Sequence, residues 1–572
     1  MTLYQGILLG RILLLVALAG LLFTLARRGV ISRRHRLLIF AILIGALASY
    51  PNFGVLHPTQ SGYRPGHIHY YDAFHYFMGA KYLPELGYSV LYEATLVAGR
   101  ELGAFGGIGY IRDLATYVPR PTTTVGPEPI RSRFTNARWD ALKRDLAFFG
   151  PRIDAWPELL VDRGYNDPPP RALLLHLLVG SLPASAPTLA LLSSLDYVLM
   201  IAAAWAVWRA FGAVPTALTL TFLSLSFFAR FDYIGGSLLR WDWAAALLAG
   251  AAALARGSGT TGGLLLGYAA AARVFPVLFL IPLVIKWTQA RMGRRPEPVV
   301  ASCLRAALGL ILVISVGLMA WPDQRPLMLE FLAKIRLHAQ DPFVNSVGLG
   351  PVLVFGSAPW STAANGAVFV PTEAIAAARP AAYLLPLLSA GYLVVALPLI
   401  LRARALESMT FAIPLVFCAF SLTGYYYSFL ALLVLLPWRE GRTDRISAVE
   451  MALRRDRIAV LMSLAGVTFL AWGYLFWGAS QMAAMDMAMA MPEAGAPAAS
   501  SGGTRTRTTT TSRGTTRWRR TTVHTRSRTG SGRHAGSRNR RSASEPGPAG
   551  NSARFRETPD CGSGASPGGR GP

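Results

Sequence analysis

Long apolar runs alternate with short basic clusters over most of this chain. A helix needs about 20 apolar residues to cross a hydrocarbon core of roughly 30 Å. Tyr4–Leu25, Leu37–Leu56, Leu189–Trp208, Trp241–Ala255, Ala301–Trp321, Ala381–Leu401 and Ile458–Trp477 approach or exceed that length. The first run is longer than the apolar core of a secretion signal and has no convincing cleavage site, so it reads as a retained helix.

The basic clusters supply an orientation. Arg27, Arg28, Arg33, Arg34 and Arg36 lie between the first two spans and mark a cytoplasmic side. The stretch from 57 to about 167 is then outer, rich in aromatics and glycine, and long enough to form helices lying on the membrane surface. Ala172–Leu182 is too short to span and reads as a surface or re-entrant element. Arg209, Arg256 and the group Lys286, Arg291, Arg294 and Arg295 mark further cytoplasmic ends, which puts Arg230–Asp242 outside. Gly262–Ile285 must then enter and leave by one side, as two half-length helices broken near Arg273–Pro276, where a proline and a charge interrupt the run. A single span is the competing reading, and it moves the Arg230 loop inside. By the same logic Phe411–Trp438, basic at both flanks, turns back at Gly424-Tyr425-Tyr426-Tyr427.

The pattern predicts an all-α polytopic membrane protein of roughly 10–13 transmembrane or half-length helices. Residues 1–56 form an N-terminal helix pair and 57–170 a large outer loop. Residues 171–321 form the central helices, 322–378 a second outer loop, and 379–481 the C-terminal helices. Residues 482–572 form a low-complexity tail.

Composition agrees: 52% of residues are hydrophobic, 15% are charged and the mean hydropathy is +0.37, which excludes an ordinary soluble protein. The net charge of +26 invites a nucleic-acid reading, but its location argues against one. After Ser501 there are 15 Arg against three acids (Glu545, Glu557, Asp560), in a Ser/Thr/Arg/Gly tail too poor in apolar residues to fold. That tail reads either as a disordered extension or as out-of-frame translation of a GC-rich gene, and neither reading gives it a function. The remaining excess flanks apolar segments, as membrane orientation requires. Cys303, Cys418 and Cys561 are scattered and offer neither a disulfide framework nor metal spacing.

The densest polar-aromatic cluster is His67–Tyr76, continuing through Lys81. A carboxylate wrapped in aromatics is partly desolvated, so Asp72 is a candidate general base with its pKa raised toward working pH. The plainer reading is an interfacial aspartate capping a helix that starts at Ala73. His67, His69 and His75 also have the look of a metal site, but without cysteine or an HExxH pattern a divalent metal is not indicated, and no cofactor is expected. Arg240, Asp242 and Arg273 are charges beside or within apolar segments, where charges are costly and usually paired or functional. Arginine's planar fork suits phosphate; an Arg–Asp pair that neutralises itself, or an arginine reaching to headgroups, is the alternative. Asp196 has no evident partner in the sequence. Tyr165-Asn166-Asp167-Pro168-Pro169-Pro170 and Asp341-Pro342-Phe343-Val344-Asn345-Ser346 are turn motifs at outer helix ends.

An early outer loop with an aspartate near its start, an LY dipeptide downstream, the YNDPPP turn, GLLLGYAAAARVFPVLFLIPLV, an outer Asn-Ser, and the late YYYSFLALLVLLP follow one another in that order. This order resembles the GT-C glycosyltransferase superfamily, and most of all its polyprenol-phosphate-mannose-dependent alpha-mannosyltransferase-like bacterial family. The resemblance covers roughly Tyr4 to Trp477 in architecture. It implies a bundle in the inner membrane with its active face outward, a polyprenyl-phosphate sugar donor, a glycan or glycolipid acceptor, and no nucleic-acid partner. Asp72 matches the family's first-loop acidic residue, the catalytic base. His69, His75, Lys81, Arg240, Asp242, Arg273, Asn345 and Tyr426 become the candidate substrate-binding residues. Asn345-Ser346 lacks the intervening residue of the family's Asn-x-Ser segment. Tyr425–Tyr427 stands where relatives often carry a histidine, and LLRWDW replaces a turn that often contains Gly-Gln. The competing functions are a lipid or solute transporter, or a flippase, and a non-catalytic scaffold for envelope assembly.

Overall fold

The computed structural model describes residues from Leu3 to Leu436, apart from 29–30, 60–61, 65, 227–228, 294–296, 321–324, 341–345, 353–360, 363–367 and 370–383. The span expected at Ile458–Trp477, the tail after 482 and Asn345 lie outside the described residues. Helices dominate, and the strands described form two-residue or three-residue antiparallel pairs. Four helices are long and apolar enough to cross a membrane, the architecture of an all-helical membrane protein.

The first of these, α1 (Leu3–Arg28), packs against α2 (Arg33–Ser49), which Ser32 opens by accepting the His35 amide. α2 falls short of the expected Leu37–Leu56. Pro51 follows its last turn, and Arg11 of α1 donates to the carbonyls of Ser49 (2.8 Å) and Tyr50 (3.2 Å) and to Asn52 Oδ1 (2.9 Å). Those bonds satisfy the carbonyls that a helix end leaves orphaned, and the chain turns out of the bundle there.

The loop that follows folds into α3 (Tyr70–Lys81), α4 (Leu91–Glu101) and α5 (Asn136–Phe149). They surround an aromatic core that includes Phe74, Phe77, Tyr92, Trp139, Phe149 and Trp156. Three prolines then launch α6 (Pro169–Val179), where a missing amide costs nothing. This is the short apolar run foreseen as a non-spanning element, and it packs against α3.

The central bundle comprises α7 (Ala186–Phe211), α8 (Ala213–Leu225), α9 (Asp242–Ala255), α10 (Gly259–Ala272), α11 (Ile281–Arg291) and α12 (Pro298–Ala320). Arg256 donates to the Arg209 carbonyl, so α7 and α9 finish at the same end. Gly259, Gly263 and Gly267, spaced four apart, meet Val299, Cys303 and Ala307 in turn, so α10 and α12 run parallel at close range. A methyl group on Gly263 would collide with the Cys303 carbonyl.

α10 stops at Arg273, whose backbone is extended (φ −144°, ψ 133°), and a 3-10 turn over Phe275–Leu280 leads into α11. Lys286 of α11 pairs with Glu297 at 3.0 Å, just before α12 begins. The chain therefore returns to the end from which α10 set out: Gly262–Ile285 is two half-length pieces broken at Arg273.

α13 (Arg325–Gln340) packs against α6, and α14 (Leu384–Arg402) is the last of the four long apolar helices. The short α15 (Ala405–Thr410) and α16 (Ala412–Ala419) lead to Leu422–Thr423, which pairs with Ser346–Val347. A 3-10 turn over Gly424–Leu430 and α17 (Ala431–Leu435) complete a second broken element, turning at the expected tyrosines. An apolar groove between α1 and α2 is lined by Leu14, Leu21, Leu38 and Ile42, with no charged residue in its lining.

Candidate functional site

The two breaks bring Arg273 and the tyrosine turn together. The Arg273 guanidinium lies 5.8 Å from the Tyr426 ring centre, and Tyr426 and Tyr425 sit 4.3 Å apart, centre to centre. On the far side the Arg240 guanidinium lies between the rings of Tyr425 (4.7 Å) and Tyr76 (4.5 Å) and donates to the Tyr76 hydroxyl. Two arginines thus bracket a pair of closely packed, mutually tilted phenols.

The Arg240 segment is set by its backbone. Gly236 has φ +72°, and its carbonyl accepts the His69 amide at 2.9 Å; a side chain at 236 would strike the His67 carbonyl. A glycine is needed there on both counts. Asp196 of α7 accepts the amides of Arg240 (2.8 Å) and Trp241 (3.0 Å). The sequence left Asp196 available to any of the arginines, but its partners are main-chain amides at the start of α9. With the loop held in this way, the Arg240 Nε sits 3.1 Å from Asp72 Oδ2.

Asp72 stands in the first turn of α3, and His69, not Asp72, caps that helix by accepting the Asp72 amide at 3.1 Å. The Asp72 side chain keeps 17% exposure, against 5% or less for Arg171, Asp167, Asp242, Arg240 and Arg273. It is the carboxylate of the cluster that solvent can reach. The expectation of a raised pKa is overturned. Burial pushes the carboxyl up, but the Arg240 guanidinium and then His69 outweigh it and hold it below the usual carboxylate range.

Beneath these groups lies a sealed ion-pair network. Arg171 donates to Asp242 (2.9 Å), to Asp167, and to the carbonyls of Leu238 (3.1 Å) and Leu239. Asp167 also takes an Arg273 donor, and the Tyr268 hydroxyl donates to Asp242 at 3.0 Å. Buried charge is tolerated because each carboxylate is paired and hydrogen-bonded. Asp242 is therefore occupied in holding Arg171, which departs from its expected role in binding substrate. Arg273 is different: Nε and Nη2 are buried and have no hydrogen-bond partner, and the Tyr165 hydroxyl is in the same condition. Unpartnered buried donors are costly, and on an arginine they form a ready fork for an anion with two oxygens.

Two further candidates stand apart from this cluster. Lys81 is buried in an ion pair with Asp145 (2.6 Å) and donates to the Leu182 carbonyl (2.7 Å), which makes it a brace inside the loop domain, not a substrate ligand. His75 bonds the Tyr92 hydroxyl at 2.8 Å, and its pKa is depressed, first by burial, so it is neutral at pH 7. His67 bonds Ser193 at 2.8 Å and His69 caps α3, so the three histidines point to separate partners. Among the described residues no group of three metal-ligating side chains converges. Ser346, the neighbour of Asn345, pairs with Thr423 at the foot of the tyrosine turn.

Sequence reading passed over Arg171 and treated Asp167 as part of a rigid turn. The signal was present: an aspartate and an arginine four apart across a Pro-Pro-Pro helix start. Its meaning depended on Asp242 and Arg273 arriving from 71 and 106 residues away in the chain. No protein family matches this sequence, and no curated protein or solved structure matches it either.

Proposed function

We propose that the chain is a membrane-embedded glycosyltransferase that moves a sugar, mannose or a similar hexose, from a polyprenyl-phosphate donor to an envelope glycan or glycolipid. The observation that carries this reading is the buried Arg273 fork, with two donors unpartnered, in one cluster with Arg240 and the partly open Asp72. A donor phosphate satisfies the two free donors of Arg273 and the Nε of Arg240, and offsets the cost of leaving them unpartnered. Asp72 takes the proton from the acceptor hydroxyl as that oxygen attacks the anomeric carbon, while the arginines stabilise the departing phosphate.

The lowered pKa of Asp72 fits this sequence of events. Without donor, Arg240 quenches the carboxylate. When phosphate draws the guanidinium toward itself, burial is left less opposed and Asp72 becomes the stronger base. The base is then strengthened only when there is a donor to use.

The test is sugar transfer from polyprenyl-phosphate donors in membranes carrying the wild-type chain or Asp72→Asn. Transfer by the wild type and its loss in the variant support the reading; unchanged transfer by Asp72→Asn removes Asp72 from the chemistry. One observation favours a transporter instead: the chain breaks at Arg273 and at Tyr425 meet around buried charge, as broken helices do in transporter binding sites. Flux of a lipid phosphate across vesicles, with no sugar transferred by the wild type, selects that alternative.

A further inference from the structure

Helix α13 turns leucines outward while it seats charged groups inward. Its inward face carries Glu330, Lys334 and His338 with Leu327, Phe331 and Ile335; its outward face carries Leu329 at 70% exposure and Leu332 at 53%, with Arg336 beside them. The inward polar groups have built partners. Glu330 accepts the Tyr88 amide at 2.9 Å, Lys334 donates to the Tyr88 carbonyl at 2.7 Å, and Phe331 lies 5.7 Å from the Tyr88 ring. Water disfavours leaving Leu329 and Leu332 outside while Lys334 is seated inside. Two exposed leucines beside an exposed Arg336 suit a boundary between an apolar medium and a polar one.

Which medium follows from its neighbours. Residues 321–324 alone separate α13 from α12, whose Leu312, Val313 and Val316 are 55–70% exposed along a helix long and apolar enough to cross a membrane. α6, packed against α13, turns Leu174 (42%) and Leu177 (70%) outward as well. α13 cannot itself cross: its 16 residues reach only about 24 Å, and Glu330, Lys334 and Arg336 fall in its middle. A helix of this kind lies flat at the boundary of headgroups and acyl chains.

We propose that α13 lies on the bilayer surface with Leu329 and Leu332 in the lipid, so that the partner of this face is the membrane itself. The inference is independent of the chemistry at the arginine cluster. It gives the Tyr88 turn a fixed floor, because the helix that grips that turn by its amide and its carbonyl is anchored in lipid.

The test uses the full chain in phospholipid nanodiscs, with p-benzoylphenylalanine in place of Leu329, of Leu332, or of Asp140 on the polar helix α5. Leu329, Leu332 and Asp140 are all exposed, so all three variants keep the fold. After irradiation, mass spectrometry should find phospholipid adducts several-fold more abundant at 329 and 332 than at 140. Equal yields at the three sites overturn the proposal, because α13 then faces water. A cross-linked dimer in place of lipid adducts overturns it too, because a second copy of the chain then covers the face.

Discussion

Asp72 Oδ2 and Arg240 Nε lie 3.1 Å apart, yet neither atom completes a hydrogen bond. The pair is held by charge and is misaligned, so a ligand that offers Arg240 a better acceptor can separate it. Arg240→Met removes the largest opposition to burial at Asp72 and leaves the weaker pull of His69, so the carboxyl pKa rises; carboxyl infrared titration of the purified protein reads the shift. A carboxyl pKa that stays low in Arg240→Met would show that Arg240 does not control it.

The same pair predicts non-additive stability. Removing one partner of a largely buried pair costs about 3–5 kcal/mol, mostly from the charge left behind. Arg240→Met should therefore lower the unfolding temperature in detergent more than the double variant Asp72→Asn, Arg240→Met does. If the two losses simply add, the charges do not stabilise one another.

Asp167 is the hinge of the lower network because its carboxylate serves both Arg171 and Arg273. Its carbonyl takes the Tyr88 hydroxyl at 2.7 Å. Asp167→Asn keeps the shape and the Tyr88 bond but leaves buried positive charge uncompensated, a loss of about 3–5 kcal/mol. Tyr88→Phe removes a single neutral hydrogen bond and should cost only about 1 kcal/mol. Thermal unfolding of the two variants side by side checks the order, and the order reverses if Asp167 is not the shared counter-ion.

Membrane embedding and both chain breaks were legible in the sequence because each rests on local features: apolar run length, basic flanks, a proline beside an arginine. The end of α2 was not, since Arg11 closes it from another helix. Arg171 was missed because its function exists only once Asp242 and Asp167 meet. Lys81 looked like a ligand beside Asp72 in the sequence, but α3 turns it along its own axis to Asp145. Local chemistry reads from a sequence, whereas the pairing of charges is decided by tertiary approach, and four of the groups in this cluster come from separate elements.

Gly263 tests the close approach of α10 and α12. A single methyl group there meets the Cys303 carbonyl, a backbone atom that cannot rotate away. Overpacking of this kind costs about 1–3 kcal/mol. Gly263→Ala should lower the unfolding temperature modestly and Gly263→Leu severely, whereas Gly309→Ala, at a glycine of α12 with open space around it, should have little effect. Equal tolerance at 263 and 309 would mean that the two helices are not packed at this distance.

The seating of α13 should depend on pH in a fixed direction. Burial depresses Lys334 from 10.5 to about 7, against the pull of Asp162 and Glu330. Burial likewise depresses His338 from 6.5 to about 3, with Arg163 and Lys334 adding to the effect. Both groups hold fewer protons when α13 is docked than when it is released. Docking is therefore favoured as pH rises, between about 7 and 10.5 through Lys334 and between about 3 and 6.5 through His338. It weakens as pH falls through either window. Hydrogen exchange of the α13 and Tyr88 amides, corrected for the intrinsic pH dependence of exchange, should show protection falling from pH 9 to pH 5. Lys334→Met should flatten the upper window and leave the lower one in place, while His338→Phe should do the converse. Protection that rises on acidification would contradict the buried seats of both side chains.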